Sequence, residues 1–133
     1  MNGSTYLEQT VSDWVKGVAI DPPPVGLLLA LSTADPLDDG SGIAEPVGLG
    51  YARQAFLFGA YASVNGVGTT MTGPTVDLIY TSTGAWGTIS HWALFRSDGG
   101  GEMLFYGAVT VPKLIGAGDS FVANADSLGL VTR

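Results

Sequence analysis

Apolar residues change their spacing once along this chain. Near the start, Leu7, Val11, Trp14, Val15 and Val18 recur at intervals of three and four, the stripe of one helix face. Thr5 stands where an N-cap would, Glu8 follows three positions later as in a capping box, and Gly17 marks the expected end. The segment DPPPVG, Asp21 to Gly26, then forbids helix: its prolines fix φ, lack N–H donors and push the preceding residues into extended geometry. A stiff linker is expected there.

Beyond the linker the pattern is one of short β-branched, leucine-rich and aromatic runs. They cover Leu27–Thr33, Tyr51–Phe58, Thr75–Thr81, Gly87–Phe95, Glu102–Val111, Asp119–Asn124 and Ser127–Thr132. Turn clusters such as SDGGG, GAGD and NADS separate the later runs, and no second helical stripe interrupts them. The pattern predicts a mainly β protein, an antiparallel β-sandwich of jelly-roll-like kind with one short N-terminal α-helix. With 133 residues and no repeat of fixed period, one domain is expected over 1–133. Its parts would be the helix and start of the linker at 1–20, the proline linker at 21–26 and the sandwich at 27–133.

Charge and composition narrow the function classes. Twelve acidic residues against five basic ones leave a formal charge of −7, with the bases scattered, so a nucleic-acid partner is not expected. The longest apolar run, Val25–Leu31, is far short of the roughly 20 residues a spanning helix needs, so no membrane role is expected. The opening residues MNGSTYLEQ carry neither a basic cluster nor an apolar block, and no export signal is read in them. No cysteine is present, which removes disulfides, thiolate nucleophiles and Cys-based zinc sites. Hydrophobic residues make up 46% and charged ones only 13%, against about 25% charged in an average domain. Some apolar surface is therefore expected to meet a partner.

Candidate chemistry is sparse. The stretch LALSTADPLDDGSG, Leu29 to Gly42, breaks an apolar run into acids, glycines and a proline, but Asp35, Asp38, Asp39 and Glu45 lack the alternating spacing of an EF-hand. Turn geometry explains these residues better than a metal site. His91 is the only histidine; strict alternation in TISHWALF places it opposite Ser90 and Trp92, and no GxSxG accompanies it. A structural histidine is expected. The GDSF stretch at Gly118–Phe121 resembles a hydrolase nucleophile block but has no Asp-x-x-His after it, and GSGIAEPVGLG lacks the Lys and helix of a P-loop. Trp86, Trp92, Phe95, Phe105 and Tyr106 have the spacing of core or subunit-interface residues, with sugar stacking as the competing use. No enzyme activity, cofactor or metal is expected.

Four blocks carry a resemblance: LALSTADPLDDGSGIAEPVGLGYARQAF, GAWGTISHWALF, GEMLFYGAVTVPK and GAGDSF. Together with the helix and proline linker they resemble a family of small tailed-bacteriophage virion proteins, whose members are labelled tail fibre protein or capsid cement or decoration protein. The intervening GAYASVNGVGTTMTGPTVDLIYTSTG departs from that pattern. The resemblance implies a non-enzymatic virion part on the capsid exterior, assembled in the host cytoplasm. It would cement neighbouring copies of the major capsid protein and act as a homo-oligomer, dimer or trimer. The alternative it implies is a tail or tail-fibre component touching host glycans. In either role the acidic stretch would be a surface connector, running from Asp35 and Pro36 through Glu45 and Pro46 to a strand at Tyr51. The helix face of Leu7, Val11, Trp14 and Val18 would be an interface, docked on the sandwich or on a neighbouring subunit.

Overall fold

A computed structural model describes residues 2–64, 68–98 and 101–132. The elements run β1 (Asn2–Gly3), α1 (Thr5–Lys16), β2 (Leu27–Ser32), β3 (Gln54–Phe56), β4 (Ala62–Val64), β5 (Gly68–Gly73), β6 (Leu78–Thr81), β7 (Gly87–Arg96), β8 (Met103–Ile115), β9 (Ser120–Ala123) and β10 (Leu128–Thr132). One five-stranded antiparallel sheet, in the order β1-β8-β7-β2-β3, is the body of the sandwich. The facing layer comes in two pieces, the β6-β9 pair and a three-stranded sheet ordered β10-β5-β4.

Alternation along β2, and along β7 beyond the irregularity after Ile89, divides the apolar side chains between two faces. Leu29, Leu31, Ile89, Trp92 and Leu94 point to the sandwich interior, where they meet Leu78 and Tyr80 of β6, Ala123 of β9, Phe56, Trp86 and Ile115. On the other face Ala30, Ala93, Phe95, Met103 and Tyr106 form a smaller cluster under Ile43 of the β2–β3 connection. The Tyr80 hydroxyl crosses the interior to donate to the Leu29 carbonyl at 2.6 Å, so the layers are joined by a buried hydrogen bond as well as by apolar contact. Gly107 is required beside this core: a Cβ there would stand 2.9 Å from the Trp92 indole, its cross-strand partner.

Most predicted strands are found, with shifted bounds. The run expected from Tyr51 pairs only over Gln54–Phe56, because Tyr51 and Arg53 turn their side chains to the β2–β3 connection. The last pairing of β8 extends to Ile115, beyond the expected Val111. Three strands were not expected. β1 pairs Asn2 and Gly3 with Tyr106 and Phe105, so the N-terminal segment is stitched into the main sheet rather than set apart from it. β4 and β5 form a Thr- and Gly-rich hairpin that β10 extends, and Leu128 of β10 packs against the main core.

The helix starts one residue earlier than expected. Ser4, not Thr5, is the N-cap: its extended backbone (φ −76°, ψ 165°) lets its hydroxyl accept from the Leu7 N–H at 3.1 Å. The same hydroxyl donates to the Met103 carbonyl, which places the cap against β8. Glu8 then falls outside the capping-box position, and its N–H makes the first helical bond to the Ser4 carbonyl. Gly17 ends the helix as expected, left-handed at φ 76°, its N–H on the Trp14 carbonyl and that of Val18 on the Asp13 carbonyl, a Schellman closure.

Candidate interaction surface

Of the residues expected to form an interface, Leu7, Val11 and Trp14 lie on α1, whereas Val18 falls beyond the helix because Gly17 turns left-handed and ends it, and the sandwich does not enclose any of them. Only Leu7 is partly buried, while Val11, Trp14, Val15 and Val18 are 52%, 69%, 72% and 52% exposed. No residue of the helix is buried. Docking of the stripe on the chain's own sandwich is therefore corrected. The physical reason is that polar groups, not apolar ones, attach this helix. Ser4 N–H donates to the Leu104 carbonyl at 2.9 Å and Thr5 N–H to the Asp38 carbonyl at 2.8 Å.

Arg96 supplies the other attachment. Buried at the end of β7, its guanidinium donates to the Tyr6 hydroxyl at 3.1 Å, to the Pro22 carbonyl at 2.8 Å and to both carboxylate oxygens of Asp98 at 3.3 and 3.2 Å. Tyr6 donates in turn to Asp21 at 2.7 Å. One side chain thus pins the helix and the proline linker together, a use suited to the five-donor fork of arginine. The hydrogen bond from Arg96 holds the Asp98 carboxyl below its ordinary range, and that to Asp21 raises the Tyr6 phenol.

The acidic stretch is built from turn chemistry. Asp35 accepts from the Leu37 N–H at 3.0 Å and Asp39 from the Ser41 N–H at 2.9 Å, both Asx turns. Gly42 is needed because a Cβ would stand 2.2 Å from the Asp35 carbonyl oxygen. Asp38 receives the Tyr106 hydroxyl and, through its carbonyl, the helix start. Glu45 does more than lead the chain back. Its carboxylate takes Tyr51 at 2.6 Å and Arg53 at 2.8 Å on each oxygen, and the Arg53 guanidinium lies 3.8 Å over the Phe95 ring. Burial pushes the Glu45 carboxyl up, yet the bonds from Arg53 and Tyr51 together outweigh it and hold it below its ordinary range. Burial and the bond to Glu45 raise the Tyr51 phenol. Among the described residues, no three His, Asp or Glu side chains gather as a metal cage.

His91 lies half-buried on β7, and its Nδ1 is 2.8 Å from the Ser90 hydroxyl. Strict alternation would separate the two. It fails because the β7–β8 register slips between Ile89 and His91. No carboxylate hydrogen-bonds the ring among the described residues, so the pair lacks an orienting acid. Ser120 of the GDSF stretch lies against Thr81, and Asp119 closes the turn by accepting from Gly116 N–H at 2.8 Å. Of the aromatics, Trp86, Trp92, Phe95 and Tyr106 are buried and Phe105 is partly so, which leaves them as core.

Sequence reading missed a second apolar surface. On β8, Val109, Thr110, Val111 and Pro112 stand opposite the single residue Ser90 of β7, a wide bulge that lifts the strand away. The gap between this bulge and β9 is an open groove of about 400 Å³, floored by Leu31, Trp92 and Phe121. Its rim carries Val111, Val122 and Lys113. A proline inside the apparent strand YGAVTVPKL was the one available signal, since proline within a sheet marks an edge or bulge.

No curated protein matches this sequence. A family description does: Podophage GP4 fiber I protein gp80 matches residues 2–131. A match of that extent, on a β-sandwich that carries one short N-terminal helix, means that the chain belongs to this family of bacteriophage virion fibre proteins.

Proposed function

We propose that the chain is a structural component of a phage fibre and acts by binding, not by chemistry. The observation that carries this reading is the family match over residues 2–131. The fold supports it. A sandwich braced by a buried Tyr80 bond and the Glu45–Arg53 pair is a rigid body, and α1 holds apolar side chains outward on it. Rigid parts that offer preformed apolar faces lose little freedom on assembly. Self-association into a homo-oligomer follows from the same exposed surface.

Copy number and position in the virion test the proposal. Antibody labelling of intact particles, with quantitative mass spectrometry of the chain against the major capsid protein, should place a few to tens of copies on the tail. Hundreds of copies spread over the shell would replace the fibre reading with the capsid-cement one, with the major capsid protein as partner.

A further inference from the structure

The chain carries two unfilled halves of an apolar contact. One is the outward face of α1, where Val11, Trp14 and Val15 project from a helix fixed at its base by Ser4, Tyr6 and Arg96, with Val18 exposed just past its cap. The other is the groove beside the β8 bulge, with its floor of Leu31, Trp92 and Phe121. The helix presents a ridge and the groove a concavity, and about 400 Å³ is room for a large aromatic and a neighbouring aliphatic side chain. Within one copy the two stay apart, since the groove is open and the helix face exposed.

We propose that the occupant of the groove is α1 of a second copy of this chain, with Trp14 as the anchor. Charge favours this occupant. Lys113 is the one charged residue lining the groove; its ammonium donates to the Ser120 carbonyl, and among the described residues it has no carboxylate partner. The helix brings Asp13 next to Trp14, and Asp13 is held only by an exposed contact to Lys16 at 3.6 Å. A pairing of Asp13 with Lys113 at the rim fixes the direction of the helix in the groove, as rim charges do. The helix needs no rearrangement to bind, because its polar attachments already point the apolar face outward. Each copy offers one helix and one groove, so the contact closes either as a reciprocal, two-fold pair or, head to tail, as a ring. This deepens the homo-oligomer part of the reading above by naming its surfaces.

Sedimentation of the full chain across a dilution series tests the proposal, with Trp14→Asp and Val111→Asp as variants. Both positions are exposed, so circular dichroism and melting of the dilute chain should match the parent and show that each variant folds. The parent should associate, and each variant should weaken association by about tenfold or more, as loss of a central aromatic anchor or burial of an unpaired charge does. Because the chain has no cysteine, a mixture of Val15→Cys and Val111→Cys copies, which keep the Trp14 anchor, should form a mixed disulfide that neither forms alone. A parent that stays monomeric at every concentration overturns the proposal, as does a Trp14→Asp variant that associates like the parent. Loss with Trp14→Asp but not Val111→Asp, with disulfides joining only one Val15→Cys copy to another, would put helix against helix and also overturn it. Failure here leaves the fibre reading standing, which depends on position in the virion. Absence from virions would sink that reading and leave the association result intact.

Discussion

The sandwich interior and the N-terminal helix draw on the same residue types and use them oppositely. Leu29, Leu31, Ile89 and Leu94 are wholly enclosed between the layers, whereas Val11, Trp14 and Val15 face water on a helix with no buried residue. The attachments differ in kind as well. Apolar contact closes the interior; α1 is held by the Ser4 cap, the Tyr6–Arg96–Pro22 bonds and a carbonyl of the acidic turn. The difference teaches that burial stabilises the body while polar bonds aim the helix. Apolar surface that the fold leaves unused is free for assembly.

Substitutions that swap these roles separate the two regions. Leu94→Ala should cost about 2–5 kcal/mol in chemical denaturation, the range for truncating an enclosed leucine. A loss near zero would mean the layers are not closed over that face. Tyr80→Phe comes next. It removes the 2.6 Å bond between the layers, at about 1 kcal/mol.

The Glu45–Arg53 pair should show itself through pH. Because the folded carboxyl is held below its ordinary value of 4.5, its contribution is complete above that pH and is lost as the pH falls through the lower folded value. The gap in melting temperature between parent and Glu45→Gln should therefore be widest near neutrality and shrink in acid. A gap independent of pH would show that the pair contributes nothing through its charge. Arg96→Gln should act locally: amide protection over Thr5–Lys16 falls in hydrogen exchange while β2 and β7 keep theirs. Equal loss in all three would make Arg96 part of the core. Trp14→Ala is the smallest, within about 0.5 kcal/mol in the dilute chain, as for surface positions away from special features. A loss near that of Leu94→Ala would mean the helix face is covered after all.

Where a strand packs on both faces, sequence pattern was enough to find it. β2 and β7 read as apolar runs between Pro, Gly and polar turns, and both were found within a residue or two at their ends. β5 escaped because its run, GTTMTG, sends little apolar surface to the core and so leaves no alternation to detect. The helix stripe was legible and its exposure was not, since periodicity says which face is apolar and nothing about what covers it. Arg96 was invisible for another reason: its partners Tyr6 and Pro22 lie 90 and 74 positions away, and a single arginine has no local signature for such a contact.

Hydroxyl-radical footprinting of the three tryptophans, read by mass spectrometry in the dilute chain and in intact virions, tests the central contrast most directly. Trp86 and Trp92 are buried and Trp14 is exposed, so each reports on one region. The account predicts that Trp14 alone is heavily oxidised in the dilute chain and becomes protected in the virion, while Trp86 and Trp92 stay protected in both. Equal oxidation of Trp14 in the two states would contradict the claim that the helix face is held out for assembly.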